Sequence, residues 1–391
     1  MDDLLRRLPL DLLYIVANYD PQVLFMYPEK DLLQLNWIRL LKMNFHKDYK
    51  NSLFSNEELM RIYIYNSFSR RNQIACGRSE AIVINEDDTT VMNFNEMGVI
   101  SDNNSHKNIA CVAYGADYVI ILLHDGTLLC RGSNTNGQLG LGDYASRDIF
   151  VKNETLGKDI SIKQIACGYA HTLLLLTDGT LLTTGLNSSG QLGQKIAPEL
   201  NSFTKLDNVK NIVQIACGYY HSVIKLEDGT LLGCGNNGAG QLGLDKMNIV
   251  PFFTKIKDLP KNISEISCGN CCTFLLIDDG TLMGCGYNES GALGLGDNKN
   301  RTTFTHIKNL PTNVVKIQAG YDHAICLLGN GNIMTCGHNR NGALGFPDRI
   351  NRNIFEEIKN LPAKVKNIGT GGFAQYTLIC LLNGTTIRFR N

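Results

Sequence analysis

The chain has 391 residues, with Lys plus Arg equal to Asp plus Glu at 37 each, and it carries 13 cysteines, 38 glycines and one tryptophan. Zero net charge leaves no field to hold a polyanion, whose non-specific affinity for proteins comes from neutralised phosphates, so a nucleic-acid partner is not expected. No charged-apolar-small leader opens the chain and no apolar run approaches the roughly 20 residues that span a bilayer, so the expectation is an intracellular monomer, away from the membrane, in the cytoplasm or nucleus.

Residues 1–50 read as a helical segment. Leu8-Pro9-Leu10-Asp11-Leu12-Leu13-Tyr14-Ile15-Val16 suits a helix with proline in its first turn, and Asp31 to Phe45 suits a second, crowded with Leu32, Leu33, Leu35, Ile38, Leu40 and Leu41. Short helices this rich in leucine need a surface to cover. The order Leu-Pro-x-Asp-Leu-Leu-x-x-Ile, followed by a leucine-rich helix containing Trp37, resembles a degenerate F-box. In that family the segment docks on the adaptor Skp1 of a ubiquitin ligase, and a propeller often follows as substrate receptor. The resemblance makes Leu8, Pro9, Leu12, Leu13 and Trp37 candidates for contact with a second partner. The competing reading is a helical cap packed on the chain's own propeller.

Residues 51–71 read as a linker and a closing strand. Arg61-Ile-Tyr-Ile-Tyr-Asn-Ser67 alternates like a strand. Alternatively, Ser55-Asn-Glu-Glu58 is a capping box that starts a helix running through Tyr65.

From residue 72 to 391 one pattern recurs. A glycine closing a short apolar run falls at Gly77, Gly115, Gly168, Gly218, Gly269, Gly320 and Gly371, and a turn falls at Asp125, Asp178, Asp228, Asp279, Asn330 and Asn383. Both rulers step by 50 to 53 residues, apart from one first step of 38. The apolar runs, such as Ile212 to Cys217 and His221 to Leu226, are too short for helices and right for strands. Asp-Gly and Asn-Gly between them supply the positive φ of tight hairpins. A recurring phenylalanine, at Phe203, Phe253, Phe304 and Phe355, marks a fourth strand. The expected fold is therefore all-β: a seven-bladed β-propeller of four-stranded antiparallel blades, preceded by a small α-helical N-terminal segment. The chain stops at Thr385-Thr-Ile-Arg-Phe-Arg390, a third strand, and we expect 61–67 to complete the seventh blade.

Gly-x-x-His, Asp-Gly-Thr-Leu and Gly-x-Asn-x-x-Gly-[Gln/Ala]-Leu-Gly, the last beginning at Gly132, Gly185, Gly235, Gly286 and Gly337, resemble the regulator of chromosome condensation repeat family, whose fold is a seven-bladed propeller. Family repeats usually place tryptophan just before that motif, whereas here the slot holds Arg131, Thr184, Cys234, Cys285 and Cys336. That departure argues against the photoreceptor members, which sense light through tryptophan clusters.

The cysteines follow the period and read as small packing residues, and their odd number fits a reducing compartment. No metal site, cofactor or bond-making active site is expected: there is no nucleophile elbow, P-loop or HExxH, and the glycines lie in turns of fixed period. Cys268-x-x-Cys271 lacks a second pair. The expected function is a non-catalytic protein-interaction propeller, as substrate receptor of a ubiquitin ligase if the N-terminus is an F-box. The alternative implied by the family is guanine-nucleotide exchange on a Ran-type small GTPase. Family exchange faces use acidic and histidine residues of the Gly-x-x-His loops, which here are Asp117, His171, His221, Asp322 and His323, with Tyr169, Tyr219 and Tyr321 as aromatic anchors. Against this, a histidine repeating in successive units more often satisfies a blade-to-blade hydrogen bond, and steps of 50 to 53 leave little room for the β-wedge of exchange members. Richness in Asn, Ile and Lys suggests an AT-rich genome of a parasite or large DNA virus, in which case the cell is a host's.

Overall fold

The computed structural model describes residues 35–37, 39–40, 55–56, 59–60, 74–84, 91–95, 98–101, 109–157, 160–194 and 198–390. Six four-stranded antiparallel meanders follow one another at 74–101, 109–152, 162–206, 212–255, 263–306 and 314–357. A seventh sheet, 365–389, has three strands. Seven four-stranded blades were expected; among the described residues there are six, and the strand expected to complete the last sheet, 61–67, lies outside them. The innermost strands neighbour one another in chain order, and Ile74–Cys76 lies beside both Ile109–Tyr114 and Val365–Gly369. Tyr376 of the last sheet donates its hydroxyl to the Glu80 carbonyl at 2.7 Å across that junction.

Within the third blade, His171 pairs with Gly185 and Gly185 with Leu200, which sets the register of three strands. A bulge falls at this glycine and at its counterparts Gly132, Gly235, Gly286 and Gly337, all at φ between +99° and +107°. The hairpin aspartates and asparagines earn their place through a side-chain oxygen that accepts the N–H two residues on, as in Asp178 to Thr180 at 2.9 Å and Asn330 to Asn332 at 2.9 Å. The repeated asparagine of the longer motif is a loop staple. Buried Asn288 takes the Leu293 N–H on its oxygen at 2.8 Å and gives its amide to the Asp297 carbonyl at 2.9 Å. Asp297 then holds Arg301 at 2.7 Å, and Asp143–Arg147 and Asp348–Arg352 repeat the pair.

The core is a series of joints between sheets. Leu173, Leu175 and Leu181 of the third blade pack with Leu206, Ile212, Ile215 and Ile224 at the joint with the fourth. In the third to sixth blades a fourth-strand phenylalanine covers a glycine of the preceding blade: a Cβ on Gly140 would lie 2.4 Å from Phe203, and one on Gly193 2.4 Å from Phe253. Phe389 of the last sheet takes the corresponding place against Gly345.

Of the helices expected over 8–16 and 31–45, Trp37, Arg39 and Leu40 are described and helical; Leu8, Pro9, Leu12 and Leu13 lie outside the described residues. Asn56, Leu59 and Met60 are also helical, with the Leu59 N–H on the Ser55 carbonyl at 3.0 Å, the first turn expected of the capping-box reading. Trp37 is fully buried, and with Leu35, Leu40, Leu59 and Met60 it joins the cluster containing Ile325, Ile358, Val365, Leu381 and Phe389 at the joint between the sixth blade and the last sheet. Trp37 therefore packs into the propeller's own core, as the reading of a helical cap expects of it. No helix among the described residues is long and apolar enough to cross a membrane.

Trp37→Ala is expected to destabilise the chain by about 3–5 kcal/mol in urea unfolding, the cost of emptying a large aromatic site. Gly140→Ala should cost about 1–3 kcal/mol more than Gly126→Ala, because both strain a positive φ but only Gly140 lies against a ring, whereas Gly126 has open space around it.

Candidate protein-binding face

The loop between first and second strands begins at the periodic glycine, and these loops hydrogen-bond to one another around the axis. Tyr169 N–H reaches the Tyr219 carbonyl at 3.2 Å, Tyr219 N–H that of Asn270 at 3.3 Å, and Asn270 N–H that of Gly320 at 3.4 Å. Tyr321 N–H reaches Ala374 at 3.1 Å, and Arg78 N–H reaches Ala116 at 3.0 Å. Residues in the variable positions of these loops consequently share one face.

The histidines of the same motif do not belong to that face. His171 and His221 are fully buried and His323 is 2% exposed, so they lie out of a partner's reach. His171 Nε2 meets Ser222 Oγ of the next blade at 3.0 Å, His221 meets Thr273 at 3.0 Å, and His323 meets Thr377 at 2.9 Å. Each hydroxyl has one proton and gives it to a loop carbonyl of the preceding blade: Ser222 to Gln191 at 2.7 Å, Thr273 to Gln241 at 2.7 Å, Thr377 to Ala343 at 2.8 Å. The hydroxyl must then accept from the histidine, which places the ring proton on Nε2. The glycine three residues earlier exists for the ring: a Cβ on Gly168 would lie 1.9 Å from His171 Cε1, and one on Gly218 2.0 Å from His221 Cε1. Tyr118 fills the same position in the second blade and sets its hydroxyl on the His171 carbonyl and the Thr172 hydroxyl. Burial drives the histidine pKa values down, to about 3 for His171 and His221 and about 4 for His323, so all three stay neutral.

The face itself carries an aromatic cluster. The rings of Tyr169 and Tyr219 stack at 4.4 Å with 12° between planes, Tyr220 stands edge-on to both, and Phe373 lies 5.6 Å from Tyr219. Arg78 approaches the Tyr169 ring at 6.0 Å and lies 3.6 Å from Asp117; both members of that ion pair are about half exposed. Burial, with Tyr220 and Tyr169 close by, holds the Tyr219 phenol above its ordinary range. Tyr321 and Asp322 occupy the matching loop of the sixth blade and are partly buried. Desolvation raises the Asp322 carboxyl, opposed by His338.

Asp117, Tyr169, Tyr219, Tyr321 and Asp322 thus stand in one ring of loops, and the three histidines stand beneath it. Arg78, Tyr220 and Phe373 were not picked out in advance. Arg78 follows Gly77 directly and Phe373 lies two residues after Gly371, so aligning all seven loops position by position exposes them. Beside the ring, between the first and second blades, lies a cavity of about 310 Å³ whose lining includes Glu80, Asp117 and Arg131.

All thirteen cysteines are free thiols. Burial pushes Cys268 up to about 12 and Cys271 up to about 11, which suits packing and not nucleophilic or redox work. Among the described residues no group of His, Cys, Asp and Glu is arranged to hold a metal ion.

The profile of the Regulator of chromosome condensation (RCC1) repeat matches residues 125–175, 178–224, 228–276 and 279–327, and a second profile of that description matches 162–191, 212–241 and 314–343. The Ultraviolet-B receptor UVR8 of Arabidopsis thaliana is 30% identical over 263 residues, which cover 65% of this chain and 58% of that protein. The probable E3 ubiquitin-protein ligase HERC6 of Homo sapiens is also 30% identical over 263 residues, 65% of this chain and 21% of the relative. The chain therefore spans little more than half of the first relative and about a fifth of the second. A solved structure of Prp20p from Saccharomyces cerevisiae, described with its binding to Gsp1p and histones, superposes with a TM-score of 0.68 at 20% identity, over 76% of this chain and 80% of that one.

The folded histidines have pKa values of about 3 to 4, below the roughly 6.5 of an unfolded one, so their contribution to stability is whole above pH 6.5 and is lost as pH falls toward the folded values. Urea midpoints should decline over that window, and His221→Gln should flatten the decline by about 1.4 kcal/mol per pH unit.

Proposed function

Because the chain belongs to the Regulator of chromosome condensation (RCC1) repeat family, we propose that its propeller is a non-catalytic protein-binding platform whose partner docks on the axial ring of loops. One observation carries this reading: the histidines of the loop motif are buried in joints, whereas Arg78, Asp117, Tyr169, Tyr219, Tyr220 and Asp322, from the same loops, share one face and are exposed or partly so. Clustered tyrosines with an arginine are the residue types that dominate interface energetics.

Guanine-nucleotide exchange on a Ran-type small GTPase is the second reading, favoured by Asp117 and Asp322 standing in the same ring of loops as the aromatic cluster. Exchange needs tighter binding to the nucleotide-free GTPase than to the loaded form, and no covalent chemistry. The role of ubiquitin-ligase substrate receptor draws support from the HERC6 relationship but not from Trp37, which is turned inward.

The test mixes the full chain with Ran carrying a fluorescent guanine nucleotide, and separately with Skp1. A partner on the loop ring should lose about 30-fold or more in affinity with Tyr219→Ala, the effect of about 2 kcal/mol at a hot spot. Accelerated release abolished by Asp117→Ala with Asp322→Ala would make exchange the function. A partner whose binding is indifferent to all three substitutions would remove the axial face from consideration.

A further inference from the structure

At most joints the Gly-x-Asn-x-x-Gly-x-Leu-Gly loop of one blade lies against the next sheet and offers it backbone carbonyls. Gln138 accepts from Thr172 at 2.8 Å, Gln191 from Ser222 at 2.7 Å and Cys234 at 3.5 Å, and Gln241 from Thr273 at 2.7 Å and Cys285 at 3.4 Å. Residues 74–108 contain no such motif, so the first blade has no loop of this kind to offer the second. The receiving positions of the second blade have changed together. Val119 stands where the third, fourth, fifth and last sheets place Thr172, Ser222, Thr273 and Thr377, and Arg131 stands where the third to sixth place Thr184, Cys234, Cys285 and Cys336; the sixth blade has Ala324 at the first position but keeps Cys336 as donor to the Ala292 carbonyl at 3.2 Å. Phe150, the counterpart of the phenylalanines that sit on glycine elsewhere, lies 4.9 Å from the Arg131 guanidinium.

The cavity of about 310 Å³ occupies this joint, lined by Gly77, Ser79, Glu80, Asp117, Val119, Arg131 and Asp148 among others. Arg131 Nη2 donates to Glu80 at 2.7 Å, and a guanidinium carries five N–H donors in a fixed fork. Asp117 and Asp148 are exposed at its edge. The volume falls at the lower end of cavities that enclose ligands, about 300–1,000 Å³.

We propose that this cavity is a seat for a glycine-bearing turn of another protein, flanked by a basic residue. The turn's carbonyls take hydrogen bonds from Arg131, as a neighbouring blade's loop takes them from hydroxyls and thiols at the other joints, and its basic flank meets Asp117 and Asp148. The inference rests on the joint and not on the aromatic cluster.

The probe is a fluorescein-labelled peptide carrying a lysine followed by the chain's own 185–193 sequence, titrated into the full-length protein by fluorescence polarisation. A dissociation constant of about 1 mM or tighter is expected, with a loss of at least about tenfold in Ser79→Trp, which fills the cavity, and in Arg131→Met, which keeps the stem over Phe150 but removes the donors. Tyr219→Ala should leave peptide binding unchanged, and urea unfolding should report a native fold for all three variants. Replacing the peptide glycines by alanine should abolish binding, since the turn needs positive φ. No binding up to about 5 mM, a Kd unaltered by Ser79→Trp, or dependence on Tyr219 would each overturn the proposal.

Discussion

The contact on which the architecture depends is a ring seated on a missing side chain. His171 lies where a Cβ of Gly168 would be, and this close approach aims Nε2 at a hydroxyl of the next blade, whose own proton returns to the first blade's loop. Two blades and three chain segments are tied by two hydrogen bonds between fully buried side chains. Buried in this way an imidazolium would be uncompensated, so the ring stays neutral and the relay has one proton arrangement. In the third, fourth and sixth blades the loop preceding the histidine inherits its height and direction from this fixed point.

Repetition separates fold from site. The asparagine staples, the Asp–Arg pairs, the periodic cysteines and the phenylalanine-on-glycine contacts recur because each joint poses the same packing problem. Where a position breaks the pattern, either the joint differs or the surface is under another demand. Both kinds of break meet in the second blade: Arg131 replaces a small buried residue and pairs with Glu80, while Asp117 looks outward beside Arg78.

The period, strand lengths and hairpins were legible because they are local: four to six β-rich residues and a glycine that must take positive φ need no tertiary information. The role of the histidines was legible as well, since a repeated polar residue next to a repeated glycine implies a repeated contact. The last sheet was harder to read, because a missing strand can be supplied from anywhere in the chain and alternation at 61–67 competes with the capping box at Ser55. Trp37 was left between two readings for a related reason. A leucine-rich helix advertises an apolar face, but its sequence does not say whether that face covers the same chain or another; here it is built into the joint beside Phe389. Arg78 and Phe373 escaped notice because they lie in the two loops whose motif is least regular.

Closure of the ring sets an order of events. The joints between successive blades connect residues about one repeat apart, as His171 to Ser222 at a separation of 51, and can form as soon as the second of two neighbours exists. Tyr376 to Glu80 spans 296 residues. Contacts of such separation carry the largest loop-closure entropy and form late. During synthesis the first sheet must therefore wait, with the apolar face of Ile74, Cys76 and Val83 uncovered, until Ala374, Tyr376 and Leu378 of the last sheet have emerged. An arc of finished blades will precede the ring, and the interval before closure is when this chain is most exposed to aggregation and most in need of a chaperone.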